Sequence, residues 1–148
     1  GIGILKPFTD ITEEEFDRMI AINQKGTFLV TQMAVKLLIE NFANAKFNSE
    51  TESYASIINL ASQAGKLGAA RLSHYSMTKA AVESFSKAIA KELGPYRRRC
   101  NAVLPYYIDT PMVNYSNLDQ NLKNLIIGPT ILKRVGRPDE VANMILFL

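Results

Sequence analysis

Ser62, Tyr75 and Lys79 stand within the stretch of residues 62–79, SQAGKLGAARLSHYSMTK. If its second half is helical, Tyr75 and Lys79 share one face, because residues four apart lie about one turn apart. A free tyrosine has a pKa of about 10 and a free lysine about 10.4, so neither alone exchanges protons readily at neutral pH. A fixed ammonium beside a phenol favours the phenolate, which is what general acid–base catalysis by a tyrosine requires. A serine hydroxyl nearby would hold a substrate oxygen. Such a set suits hydride transfer at a carbonyl, with Tyr75 as proton donor, Lys79 stabilising its phenolate and Ser62 fixing the carbonyl. The competing reading is an ordinary surface helix that happens to carry Tyr and Lys one turn apart.

The elements around these residues decide whether they can meet. Residues 55–61, ASIINLA, form a short apolar run that fits a buried parallel strand and ends at Ser62, where open α/β sheets place their ligands. Gly65 and Gly68 read as a flexible loop. A helix over residues 75–93 puts Val82, Phe85, Ile89 and Leu93 on one face, with Ala80, Ala81, Ser84 and Ala88 beside them, and Gly94-Pro95 stops it. Residues 100–104, CNAVL, give a second strand closed by Pro105, so the order is strand, helix, strand, a βαβ unit with an expected right-handed crossover.

Upstream, residues 1–7 read as a loop leaving a buried strand. Thr12 and Glu15 have capping-box spacing. Behind them Phe16, Met19, Ile20, Asn23, Thr27, Val30, Ala34, Leu37 and Leu38 recur at helical spacing to about Asn41, as one long helix or two in series. Asn23 is the polar member of that stripe. It either bonds local backbone, with Gly26 marking a kink, or reaches a site as a polar relay. Residues 41–53 read as a surface loop. Downstream, residues 117–127 form a short helix broken by Gly128-Pro129, and Pro138 with Asp139 and Glu140 opens a last one.

At 148 residues and 47% hydrophobic the chain is sized for one domain. Its net charge of +3 is spread out except at Arg97-Arg98-Arg99, which reads as a solvated loop or a site for an acidic partner and is a weak case for nucleic acid. A single cysteine, Cys100, excludes an internal disulfide and a cysteine-cluster metal site. The one histidine, His74, has no second histidine to form a metal site, so no metal is expected. No apolar run reaches the 18 to 20 or so residues of a membrane span. The setting is read as intracellular, cytoplasmic or mitochondrial matrix, with no targeting segment observable. Tyr106 and Tyr107 either line an apolar substrate pocket or are half-buried loop residues.

Over essentially its whole length the chain resembles the short-chain dehydrogenase/reductase family. The motifs that carry this, in the family's order, are Asn23 in INQKGTF, Ser62 in IINLAS, Tyr75 and Lys79 in YSMTKAA, residues 101–105 in NAVLP, and RVGRPDEVA near the end. The wording of KGTFLVTQ, RCNAVLP and IDTPM looks most like the group of estradiol 17-beta-dehydrogenase 8 and 3-oxoacyl-[acyl-carrier-protein] reductases. The resemblance implies an α/β, Rossmann-like, doubly wound parallel sheet, of which residues 1–148 would be a single incomplete domain with few strands and long helices. It implies NAD or NADP as cofactor and a keto or hydroxy substrate, either a hydroxysteroid or a 3-oxoacyl thioester. It also implies a catalytic set of Asn23, Ser62, Tyr75 and Lys79, with Asn23 in a proton relay through water to Lys79. Tyr75, Lys79, Pro105, Ile108 and Thr110 would contact the cofactor, Lys79 through a ribose hydroxyl. The two long helices resemble those that pair subunits in family oligomers.

Three departures accompany the resemblance. The glycine-rich dinucleotide loop is absent, and Gly1 resembles the end of the family's Asn-Ala-Gly segment, so the first strands are expected upstream and this stretch alone is expected to bind cofactor poorly. The far end stops before the family's last strand. The glycine usual after Pro105 is Tyr106 here, which raises the alternative of a non-catalytic partner subunit with impaired cofactor binding.

Overall fold

The computed structural model describes residues 1–42 and 55–148, which form two compact units, Gly1–Leu104 and Pro105–Leu148. Of the surface loop expected over residues 41–53, residues 41 and 42 close a helix and the rest lies outside the described residues.

The first unit is α/β. Helix α1 (Glu13–Met19) starts at the expected capping box: the Thr12 hydroxyl accepts from the Glu15 N–H at 3.2 Å, and the Glu15 carboxylate accepts from the Thr12 N–H at 2.9 Å. It runs through a wide π-helical segment, Ile20–Lys25, into α2 (Gly26–Phe42). That segment corrects the expected apolar stripe. A π-turn holds one more residue than an α-turn and shifts the phase of everything after it. The inward positions beyond Asn23 are therefore Thr27 and the fully buried Thr31, while Val30 and Leu37 face outward at 72% and 52% exposure.

Strand β1 (Ser56–Leu60) pairs in parallel with β2 (Arg99–Val103), in register from Ser56 opposite Arg99 to Leu60 opposite Val103. Between them run α3 (Gln63–Leu67) and α4 (Ser73–Leu93), which gives the expected strand–helix–strand order. Gly65 is not part of a flexible loop as its sequence context suggested. It sits in α3, where an added Cβ would fall 2.5 Å from the Ala80 nitrogen and 2.6 Å from the Lys79 carbonyl carbon. Only glycine lets α3 approach the α4 backbone there. Gly68 ends α3 with φ of 74°, the conformation glycine adopts freely.

The core of this unit is built on α4, whose buried residues His74, Thr78, Val82, Ser86 and Leu93 face inward with Met19, Ala61 and Cys100. The helix ends at Leu93, but the left-handed residue that turns the chain is Arg97, φ 52°, after a 3-10 turn at Gly94–Tyr96. The arginine triplet is also not the solvated loop it suggested: Arg98 is buried and Arg99 begins β2.

In the second unit the backbones of Tyr107 and Asp109 each bond Gly136 at 2.9 Å, beside a short parallel bridge between Ile108 and Gly136. A 3-10 turn (Tyr115–Asn117) precedes α5 (Gln120–Ile127), capped by the Asp119 carboxylate. Helix α6 (Pro138–Phe147) has proline in its first turn, and Glu140 accepts from the Arg137 N–H at 2.8 Å. The Arg134 guanidinium, also on Glu140, holds that carboxyl down to about 2.

Candidate active site

Ser62 follows β1 and the buried Ala61. Its extended backbone makes it the N-cap of α3, and its hydroxyl accepts from the Ala64 N–H at 3.2 Å. The cap fixes the side chain at the carboxyl end of the strand. Tyr75 lies in the first turn of α4, half-buried, and its carbonyl accepts from the Thr78 hydroxyl at 2.8 Å.

Lys79 is one turn further along. It is 9% exposed, and its Nζ donates to the Leu60 carbonyl at 2.8 Å while lying 5.7 Å from the centroid of the Tyr75 ring. No carboxylate pairs with it among the described residues, and burial pushes its pKa below the ordinary lysine value. A buried ammonium with one protein acceptor for three donors is costly to keep, and such groups mark functional sites.

Asn23 is 2% exposed within the π-segment. Its Oδ1 accepts from the Ile2 N–H at 2.7 Å, and its Nδ2 donates to the Ile2 carbonyl at 2.8 Å. The same Nδ2 lies 3.0 Å from Met19 Sδ and 3.4 Å from the Thr78 hydroxyl. The amide therefore bonds main chain remote in sequence, at Ile2, and not the local backbone of its own helix that the first sequence reading expected. A Cβ built on Gly1 would lie 2.7 Å from Asn23 Oδ1 and 3.6 Å from Lys79 Nζ, so the amide and the ammonium converge on that glycine. The Asn23 carbonyl accepts from the Thr27 hydroxyl at 2.8 Å.

The first unit thus links Asn23 to Tyr75 through Thr78, and Tyr75 to Lys79 directly, with Ser62 at the end of the strand that supplies the Leu60 carbonyl. Pro105, Ile108 and Thr110 belong to the second unit. There the Ile108 side chain covers Gly136, whose Cβ would meet it at 2.5 Å, and the Thr110 carbonyl accepts from the N–H groups of Val113 and Asn114. Tyr106 is 45% exposed and stands edge-on to Tyr107, ring centroids 4.7 Å apart. His74 is buried on α4, and neither ring nitrogen has a partner among the described residues. Sequence reasoning missed Ile2, Leu60, Thr78 and Asn59. The first two act through main-chain atoms, which carry no residue-type signal.

Residues 1–148 match the family model described as enoyl-(acyl carrier protein) reductase, and the chain belongs to the short-chain dehydrogenase/reductase family. Among its relatives, the (3R)-3-hydroxyacyl-CoA dehydrogenase of Rattus norvegicus is 37% identical over 138 residues, 93% of this chain and 49% of that protein. The estradiol 17-beta-dehydrogenase 8 of Callithrix jacchus is 37% identical over 134 residues, 90% of this chain and 91% of that sequence. Among solved structures, the 3-ketoacyl-(acyl-carrier-protein) reductase from Brucella melitensis complexed with NADH is similar with a TM-score of 0.81 at 29% identity, over 100% of this chain and 56% of that one. The chain spans about half the length of the first of these relatives and of the solved structure.

Proposed function

We propose that the protein carrying this chain is an NAD(P)-dependent oxidoreductase that interconverts a hydroxyl and a keto group on a 3-oxoacyl thioester or a hydroxysteroid. The observation that carries the reading is the buried Lys79 ammonium beside the Tyr75 ring, bonded to one main-chain carbonyl and to no carboxylate among the described residues. The donor set suits the ribose end of a nicotinamide cofactor, because Lys79 spends one N–H on Leu60 and has two more to offer a vicinal diol. The names of the relatives support the substrate classes, and the NADH-bound neighbour supports the cofactor.

When bound, the cofactor supplies or accepts the hydride. Tyr75 gives its phenolic proton to the carbonyl oxygen in reduction and takes it back in oxidation. The Ser62 hydroxyl donates to the same oxygen and orients it. The Lys79 charge offsets the negative charge left on Tyr75, and Pro105, Ile108 and Thr110 are the residues that would hold the nicotinamide. The Asn23 side chain is occupied by Ile2, so its part in the relay through water to Lys79 falls to its main-chain carbonyl, which has a second lone pair beside the one facing Thr27.

The exposed apolar residues Leu29, Val30, Met33 and Leu37 on α2, with the groove that Phe28 and Phe85 line between α2 and α4, support oligomerisation through the two long helices. An intracellular setting keeps the buried Cys100 as a thiol. A second reading, a non-catalytic subunit with impaired cofactor binding, is favoured by the half-exposed Tyr106 in place of glycine. Cofactor affinity of the full-length protein with Tyr106 and with Tyr106→Gly separates the two. Tight binding by the unchanged protein supports the enzyme, and binding gained only in the variant supports the subunit.

A further inference from the structure

The Leu60 carbonyl is the one protein acceptor bonded to the Lys79 ammonium among the described residues, so whatever aims that carbonyl also sets the ammonium. The Leu60–Ala61 peptide is held on one side, where the Ala61 N–H donates to the Val103 carbonyl at 2.9 Å. In a trans peptide the C=O points opposite to the N–H, so the Leu60 carbonyl is aimed away from β2. Lys79 meets it there.

The preceding residue is Asn59, 7% exposed, and its amide is bonded to two helices. Its Oδ1 accepts from the Thr31 hydroxyl of α2 at 3.3 Å, and its Nδ2 donates to the Ser86 hydroxyl of α4 at 2.9 Å. The Cys100 sulfur of β2 lies 3.9 Å from the same Nδ2. Thr31 is 2% exposed and Ser86 1%, and Ser86 is itself fixed by donating to the Val82 carbonyl at 2.7 Å. Three elements, α2, α4 and β2, therefore converge on one amide at the residue before the lysine's acceptor. Ser86 and Lys79 lie two turns apart on α4, so the helix is tied to consecutive residues of β1 at both places.

We propose that Asn59 is a positioning residue for the reaction: its amide, held by Thr31 and Ser86, fixes the end of β1 so that the Leu60 carbonyl is presented to the Lys79 ammonium. This rests on the role given above to Lys79. Without the amide, β1 and α4 lose the tie between Asn59 and Ser86, the acceptor drifts, and the charged form of the lysine loses its hydrogen bond to Leu60. That loss lowers the pH at which Lys79 gives up its proton.

The test is an NMR titration of the full-length, cofactor-free protein labelled with 13C at lysine Cε, the Lys79 resonance being assigned by its disappearance in Lys79→Met. In Asn59→Leu the midpoint of Lys79 falls by about one pH unit, the size expected for one hydrogen bond to a charged group. Ser86→Ala, which deletes only a helix hydroxyl and keeps the fold, moves it the same way by less. Val82→Ala, a core cavity without polar change, lowers the melting temperature and leaves the midpoint in place. A midpoint unmoved in both Ser86→Ala and Asn59→Leu, or in Ser86→Ala alone should Asn59→Leu not fold, overturns the proposal. The titration needs no turnover, so a protein inactive with NAD(P)H would refute the proposed reaction and leave this result readable. Normal turnover with an unmoved midpoint would refute the role of Asn59 alone.

Discussion

Lys79 is a liability to the folded chain at neutral pH, since its buried charge has a single carbonyl for compensation. Its folded pKa lies below the unfolded value of 10.5, so between the two the unfolded chain binds more protons and stability rises with pH. The destabilisation is complete below the folded pKa and gone above 10.5. Lys79→Met is therefore expected to abolish turnover while leaving the melting temperature at neutral pH equal to or above that of the unchanged protein. It should also flatten the rise of the urea midpoint towards pH 10.5. A large drop in melting temperature at neutral pH would show that the lysine is structural. The pairing of Tyr75 with Lys79 was legible from i, i+4 spacing because both act through side chains. The partner that fixes the lysine was not, because any residue at position 60 would offer the same carbonyl.

At the scale of elements, two close approaches build the site. The π-segment Ile20–Lys25 brings the Asn23 amide onto the Ile2 backbone, and Gly65 lets α3 lie against α4 at Lys79 and Ala80. Gly65→Ala puts a methyl group where the α4 backbone stands, so it is expected to cost about 1–3 kcal/mol of stability, read from urea unfolding. It should also lower kcat by displacing Lys79. A variant as stable and active as the parent would mean that α3 can retreat freely. Thr12→Ala removes the cap of α1, which bonds neither Gly65 nor Lys79, and should cost about 1 kcal/mol with kcat unchanged.

The order of elements was legible in the sequence because strands, caps and breakers carry local signals: the ASIINLA run, the Thr12–Glu15 box and Pro138 each mark a boundary that the structure has. The phase of α2 was not. Inserting one residue in a turn moves Val30 outward and Thr31 inward, and a periodicity count that assumes 3.6 residues per turn has no means of seeing the insertion. Gly65 was misread for a similar reason. Glycine in a loop and glycine at a helix contact look alike until the neighbouring backbone is placed.

For the molecule as a whole, the outward apolar face of α2 matters more than its size suggests. Val30 is 72% exposed and makes little of the unit's own core, so Val30→Asp should leave the melting temperature of the dissociated protein near that of the parent. Sedimentation should show a smaller species. An unchanged sedimentation coefficient would contradict the proposed pairing through α2.

The central claim is that Tyr75 transfers the proton, and it is tested most directly in the full-length protein that carries this chain. Turnover of NAD(P)H with a 3-oxoacyl thioester and the dissociation constant for the cofactor are measured for the parent and for Tyr75→Phe. The account predicts a fall in kcat of roughly 100-fold or more, the scale of general acid catalysis, with cofactor affinity within about threefold. Turnover retained by Tyr75→Phe would contradict it.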